Sequence, residues 1–264
     1  MAQTPVQMQS TDVIDPARIA ALNVTLGING TAPHPFAHQV LFWDAHPAEN
    51  LGQDGHPKTG GLIPNFGLPR RMWAGGRLNF FAPLQIGDPI TRVTTRLRAD
   101  HKQGRTGTLA VITLKHVLSQ NGACVVEDEQ DLIYREAAAH DAPPPAPIAA
   151  PTDETMSETR GFTTTQLFRY SALTFNGHRI HYDRDYARNV EGYPGLVVHG
   201  PLLAQYLMLL AERELGQLKT FSFRATAPLF DDETAAFCAK SSGNGLDMWV
   251  RAEDGRLCMS ATAQ

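Results

Sequence analysis

The chain has 264 residues, 42% apolar and 19% charged, which suits one large soluble domain or two modest ones. A formal net charge of −4 excludes the global basic surplus of a nucleic-acid binder, so an anionic ligand needs a local cluster of Arg or Lys. The opening residues (MAQTPVQMQSTDV) lack the apolar run of a signal peptide, and the longest apolar stretch, residues 201–211, is too short to span a bilayer and contains Gln205.

These features predict a cytoplasmic protein without a membrane partner. Cys124, Cys238 and Cys258 are odd in number and have no metal-ligand spacing, so they read as buried free thiols in a reducing compartment.

The first predicted helix starts at Asp15-Pro16, with Asp as cap and Pro in the first turn, and ends at Gly27 or Gly30. Residues 36–69 follow without periodicity and are rich in Gly, Pro and His; such a stretch reads as a lid or an arm over the other half. Residues 89–97 alternate and are rich in Thr, Val and Ile, as a strand requires. Residues 108–118 and 124–134 form a predicted hairpin around Asn121-Gly122. The proline-rich segment 141–151 reads as a linker. It divides an N-terminal unit (1–140) from a C-terminal one (152–264).

In the second unit Gly200-Pro201 opens a helix, PLLAQYLMLLAEREL, that is apolar on nearly every face until Glu212 and stops at Gly216; such a helix is buried. A last hairpin is predicted from residues 246–252 and 256–263 around Asp254-Gly255. The two units share an order of features. Phe80-Phe81-Ala82-Pro83-Leu84 then Gly87-Asp88 in the first corresponds to Phe223-Arg224-Ala225-Thr226-Ala227-Pro228-Leu229 then Asp231-Asp232 in the second, each followed by a hairpin. This predicts a duplicated α+β fold, a double hotdog in which antiparallel sheets each wrap a central helix.

Chemistry concentrates in residues 172–183 (ALTFNGHRIHYD), with Asn176, His178, Arg179, His181, Tyr182 and Asp183, and in Val198-His199-Gly200 some twenty residues later. Three readings compete. His181 or His178 titrates near neutrality and can act as general base on a water that Asn176 fixes. Because Pro201 has no N–H, the Gly200 amide at the helix start is free to donate to a developing oxyanion. Alternatively, His178, His181 and Asp183 are ligand types for zinc or iron, with the His-rich stretch 34–56 as a source of further ligands. In the third reading the histidines simply hydrogen-bond backbone carbonyls.

Residues 172–183 resemble, without a gap, the A-L-S-G-D-x-N-P-L-H-x-D motif of the MaoC-like, or R-specific enoyl-CoA hydratase, family of hotdog proteins, and residues 198–200 resemble its later V-H-G. The resemblance places the family's catalytic His on His181, its following acid on Asp183 and the thioester-holding glycine on Gly200. The family's catalytic Asp falls on Asn176, its Asn on His178 and its Pro on Arg179. An amide cannot accept a proton as a carboxylate does, so His181 is left as the sole base. The TFNGHRIHYD variant and the segment LPRRMWAGG (residues 68–76) resemble a subgroup of 3-hydroxyacyl-thioester dehydratases and of 3-methylfumaryl-CoA (mesaconyl-CoA) and itaconyl-CoA hydratases.

The implied activity is reversible hydration of an enoyl-CoA, with no metal and no redox cofactor, at one site per chain. Arg70, Arg71 or Arg77 is the expected partner of a substrate carboxylate, which favours a branched dicarboxylyl-CoA. Arg169, Arg179, Arg184 and Arg188 are candidates for the CoA phosphates, and Tyr182 and His199 for further substrate contacts. A dehydratase of fatty-acid metabolism, a hotdog thioesterase and a non-catalytic acyl-CoA binder are the alternatives. A homodimer is compatible with the fold.

Overall fold

The computed structural model describes residues 6–104, 107–136 and 146–264. Among these residues ten strands make one antiparallel sheet: β1 (Gln7–Val13), β2 (Arg70–Phe80), β3 (Pro89–Gly104), β4 (Gly107–Gln120), β5 (Ala123–Arg135), β6 (Met156–Gly161), β7 (Thr220–Ala225), β8 (Thr234–Ser242), β9 (Gly245–Ala252) and β10 (Leu257–Ala263). The spatial order β1-β3-β4-β5-β2-β7-β10-β9-β8-β6 reads the same from either end: first, third, fourth, fifth, second strand of each half. The duplication inferred from the shared order of features is therefore a property of the topology. The linker's residues 141–145 lie outside the described residues; beyond them Ile148 and Ala150 hydrogen-bond to Leu257 and Gly255 beside β10.

The helices are α1 (Pro16–Leu26), α2 (Thr164–Leu173), α3 (Arg184–Asn189) and α4 (Gly200–Leu215). α1 starts as its sequence demands: the Asp15 carboxylate accepts from the Ala17 and Arg18 amides, and Gly27 ends the helix at φ 72°. α4 is buried without interruption from Pro201 to Ala211 and packs on β7, β9 and β10. Each leucine so buried contributes roughly 1.5–3 kcal/mol. α1, the helix of the first half, is less deeply enclosed than α4. It buries Ile19, Leu22, Asn23, Thr25 and Leu26 but leaves Val24 exposed, so it lies on the sheet with one face in solvent. One continuous core nevertheless joins the halves, from Ile14, Ile19 and Leu78 to Leu202, Leu207 and Phe221.

The hairpins use different turns. Asn121 (φ 51°) and Gly122 (φ 80°) are both left-handed, as a two-residue turn requires. At Asp254-Gly255 only Gly255 is left-handed, and Ala252 bonds to Arg256 across a three-residue loop, with a register shift at Leu257/Met259. This corrects the two-residue reading: the extra residue is absorbed as a bulge. Cys238 and Cys258 are buried, whereas Cys124 is only half-buried; all three are free thiols.

The halves meet where β2 pairs with β7, with Gly75 opposite Arg224 and Gly76 opposite Phe223. A β-carbon on Gly75 would lie 2.5 Å from the Phe223 carbonyl oxygen, and one on Gly76 would lie 2.8 Å from the Phe223 ring. The two glycines let this seam close. Residues 36–69, with His34 and Pro35 just before them, cross to the other half as an arm. His34 bonds to Glu212, Gln205 donates to the Pro35 carbonyl, and the Trp43 indole donates to the Leu173 carbonyl at 2.9 Å.

Candidate active site

The chemistry-bearing segment 172–183 begins inside α2, a helix that its sequence did not announce. Thr163 caps it, accepting from the Gln166 amide. It ends in a Schellman arrangement: Phe175 N–H to Ala172 O at 3.3 Å and Asn176 N–H to Ser171 O at 2.8 Å. Phe175 takes the left-handed position at φ 51°, usually glycine's, and stacks on Trp43 at 5.3 Å. Holding a phenylalanine there costs of order 1–3 kcal/mol, and the Trp43 arm over-determines it.

The turn that follows delivers the histidines. Asn176 Oδ1 accepts the His178 N–H at 3.0 Å, so the oxygen of this amide shapes the loop. Arg179–His181 form one 3-10 turn. The Val197 N–H bonds to the Ile180 carbonyl, which brings residues 197–200 alongside His181.

His181 Nδ1 lies 2.7 Å from the Val197 carbonyl oxygen. A carbonyl only accepts, so Nδ1 carries the proton and the Nε2 lone pair is free to act as a base. Burial pushes the imidazole down to about 4, so it is neutral and ready to take a proton at pH 7. His199 is fully buried and stacks on His181, with ring centroids 3.7 Å apart. Its Nε2 is 2.8 Å from Ser171 Oγ, which makes it the floor under His181 and not a substrate contact. Gly200 opens α4. The Leu202 and Leu203 amides both bond to the His199 carbonyl, Pro201 has no N–H, and the Gly200 amide is one of the helix's unpaired donors. A β-carbon on Gly200 would find its nearest neighbour, the Trp73 carbonyl oxygen, only at 4.0 Å, so an acyl carbonyl has room to approach.

His178 contacts His181 edge-on at 5.4 Å between centroids, and on its other side meets His56 at 4.7 Å. Burial, the neighbouring His181 and Arg71 together push His178 down to about 2. Burial also holds His56 and His199 well below the usual range. The site is thus a row of neutral imidazoles, His199, His181, His178 and His56, with Asp54 and Arg71 at its far end. His56 and Asp54 come from the N-terminal arm and are the residues sequence reasoning missed. The His-rich composition of residues 34–56 was their one trace.

The arginines sort cleanly. Arg71 has no ion-pair partner among the described residues, and its charge acts on His56, His178, Asp54 and Tyr134. Arg70, its neighbour on the strand, is taken: it pairs with Glu191 at 3.0 Å and reaches the Tyr193 hydroxyl at 3.3 Å. Arg77 pairs with Glu129 and Asp131. Arg179 pairs with Asp183 at 2.7 Å, donates to the Gln53 carbonyl and lies over the Tyr186 ring, so it clamps the loop. Arg184 pairs with Asp231, and Arg188 donates to the Pro194 carbonyl. The Tyr182 hydroxyl donates to the Gly177 carbonyl at 2.8 Å. Of the proposed phosphate partners, Arg169 remains exposed on α2.

Asp54, His56 and His178 each offer a metal-ligand atom within 4.8 Å of the others. The Arg71 guanidinium acts on the same two imidazoles and on Asp54, so a divalent cation there would meet a fixed positive charge.

The depressed imidazoles set an acid limit. An unfolded chain takes up their protons below about pH 6.5, while the folded one refuses them until about pH 4 at His181 and His116. Stability is therefore full above pH 6.5 and lost as pH falls through that window, by about 1.4 kcal/mol per pH unit for each such imidazole. Thermal melts from pH 7.5 to 5 should show a steadily falling Tm; a flat Tm would mean that these rings protonate in place.

Comparisons with known proteins identify the family and the fold. The family model for hydroxyacyl-thioester dehydratase type 2 matches residues 36–231. The chain is 43% identical over 232 residues to the mesaconyl-C(4)-CoA hydratase of Chloroflexus aurantiacus, covering 87% of this chain and 82% of that one. It is 28% identical over 259 residues to the mitochondrial hydroxyacyl-thioester dehydratase type 2 of Schizosaccharomyces pombe, covering 86% and 83%. Among solved structures a MaoC-like dehydratase from Phytophthora capsici superposes with a TM-score of 0.73 at 13% identity, covering 98% and 94%. A Mycobacterium tuberculosis protein with a double hotdog fold superposes at 0.62 and 14% identity, covering 99% and 95%. The fold is a double hotdog, and the chain belongs to the hydroxyacyl-thioester dehydratase type 2 family of hydro-lyases.

Proposed function

We propose that this protein adds water reversibly to the double bond of a branched dicarboxylyl-CoA of the mesaconyl-CoA (3-methylfumaryl-CoA) or itaconyl-CoA kind. The observation that carries the reading is Arg71, a cation without an ion-pair partner among the described residues, beside the imidazole row that contains His181. The relation to the Chloroflexus mesaconyl-C(4)-CoA hydratase supports it.

The acyl thioester sits with its carbonyl oxygen on the Gly200 N–H. That bond withdraws electrons and makes the β-carbon electrophilic. His181 Nε2 takes a proton from water as the oxygen attacks the β-carbon, and the π electrons move onto the thioester as an enolate. The imidazolium returns a proton to the α-carbon, so the sum is one water added. The substrate's distal carboxylate lies toward Arg71, with the neutral His56 as a further hydrogen-bond partner.

A panel of enoyl-CoAs followed by loss of enoyl absorbance tests the reading. Mesaconyl-CoA or itaconyl-CoA is expected to exceed crotonyl-CoA in kcat/KM by at least about tenfold, the worth of one charge-assisted hydrogen bond. Better turnover of straight-chain substrates would move the enzyme to fatty-acid metabolism, with the dehydratases of the yeast relatives' names. Release of free CoA thiol would make it a thioesterase, and thermal stabilisation by acyl-CoA without turnover a binder. A cytoplasmic location and a homodimer go with this reading; light scattering checks the latter.

A further inference from the structure

Asn176 cannot exchange a proton at neutral pH, and its oxygen is already occupied by the His178 amide. Yet a carboxylate does stand beside this loop, supplied from the other half of the chain. Asp54 lies with its oxygen within 4.8 Å of ring nitrogens of both His56 and His178.

It is held there by a tight turn. The Gly52 amide donates to the His56 carbonyl at 2.7 Å, the Gly55 amide to the Gly52 carbonyl at 3.0 Å, and the His56 amide to Asp54 Oδ1 at 3.1 Å. The turn docks backbone to backbone on the catalytic loop. The Arg179 amide donates to the Asp54 carbonyl at 2.9 Å and its guanidinium to the Gln53 carbonyl at 3.1 Å. Gly55 (φ 86°) and Gly177 face each other so closely that a β-carbon on Gly55 would lie 2.0 Å from the Gly177 oxygen. A side chain at either position would force the two loops apart. Its effect is to hold one carboxylate within 4.8 Å of a ring nitrogen of the imidazole next to His181. Asp54 Oδ2 accepts no hydrogen bond from the described residues, so it is available to a ring N–H.

We propose that Asp54 is the carboxylate of this active site and acts through His178: with the Asp54 side of the ring holding the imidazole proton, the other nitrogen accepts from the water that His181 activates. The His178 ring is edge-on to His181, with ring centroids 5.4 Å apart. The step stays balanced. The O–H bond breaks toward His181, the O–C bond forms at the β-carbon, and the Asp54–His178 pair aims the lone pair without a net gain or loss of protons. The charged and titratable groups facing Asp54 are Arg71, Glu191, His56, His178, Tyr134 and Tyr186, and its burial raises it from the ordinary carboxylate value.

This inference rests on the hydratase reading. If the native enzyme turns over no enoyl-CoA, that reading fails. If it does, Asp54→Asn is expected to lower kcat about 100-fold with KM changed less than about threefold, the pattern of lost transition-state stabilisation. Adding Asn176→Asp, whose carboxylate still accepts the His178 amide, should return about tenfold of the loss. A structural role predicts a raised KM, a lowered Tm and no rescue. A kcat for Asp54→Asn within about threefold of native overturns the proposal. Should that variant fail to fold, Asp54→Glu decides: an acid limb of the pH–rate profile displaced from the native one supports it, and an unchanged profile overturns it.

Discussion

Replacing His181 by Asn is expected to lower kcat by about 1,000-fold on every enoyl-CoA the enzyme accepts, with the protein still folded. The substitution is chosen for its geometry. An asparagine Nδ2 occupies nearly the place of imidazole Nδ1 and can donate to the Val197 carbonyl in its stead, while nothing replaces the Nε2 lone pair. Loss of the stack on His199 is a packing cost that a Tm measurement registers separately. Stopped-flow or steady-state absorbance of the enoyl thioester reads the rate, and circular dichroism confirms the fold. A His181→Asn enzyme within about tenfold of native would remove His181 as general base and shift the burden to His178.

The second large effect is one of discrimination. Arg71→Gln should lower kcat/KM for mesaconyl-CoA by about 30- to 100-fold, the worth of a charge-assisted hydrogen bond at a half-buried site, and change crotonyl-CoA by less than about threefold. Arg70→Gln is the matched control. Arg70 already satisfies Glu191 and Tyr193, so its loss should lower Tm and affect both substrates alike. Equal losses on both substrates in Arg71→Gln would mean that this guanidinium only braces the imidazoles.

The contrast between these adjacent arginines shows what the sequence could and could not carry. Period-2 alternation and turn residues placed the strands of both hairpins, and Asp15-Pro16, Gly27, Gly200-Pro201 and Gly216 placed the ends of two helices, because those signals act within a few residues. α2 went unread because its stop carries Phe175 where a glycine would have announced it, and because the Trp43 that stabilises Phe175 is 132 positions away in sequence. His181 and Gly200 were legible from a motif. Asp54 and His56 were not: they reach His178 only through the backbone docking of Gly55 on Gly177, and no local pattern encodes a contact between two loops. Arg70, Arg77, Arg179, Arg184 and Arg188 looked alike as free cations until their carboxylate and carbonyl partners were seen.

The glycine seam between β2 and β7 has a consequence for biogenesis. A ribosome releases β2 long before its partner: 145 residues separate Phe80 from Ala225. At roughly 5–20 residues per second, the β2 edge waits about 7–30 s for β7. Through that interval the nascent chain presents an open row of backbone donors and acceptors, and Gly75-Gly76 puts no side chain in the way of an intruding strand. The same two residues that let the halves close on each other thus make the unfinished chain a template for mispairing, and translation speed or chaperone cover over that stretch sets the yield of native enzyme.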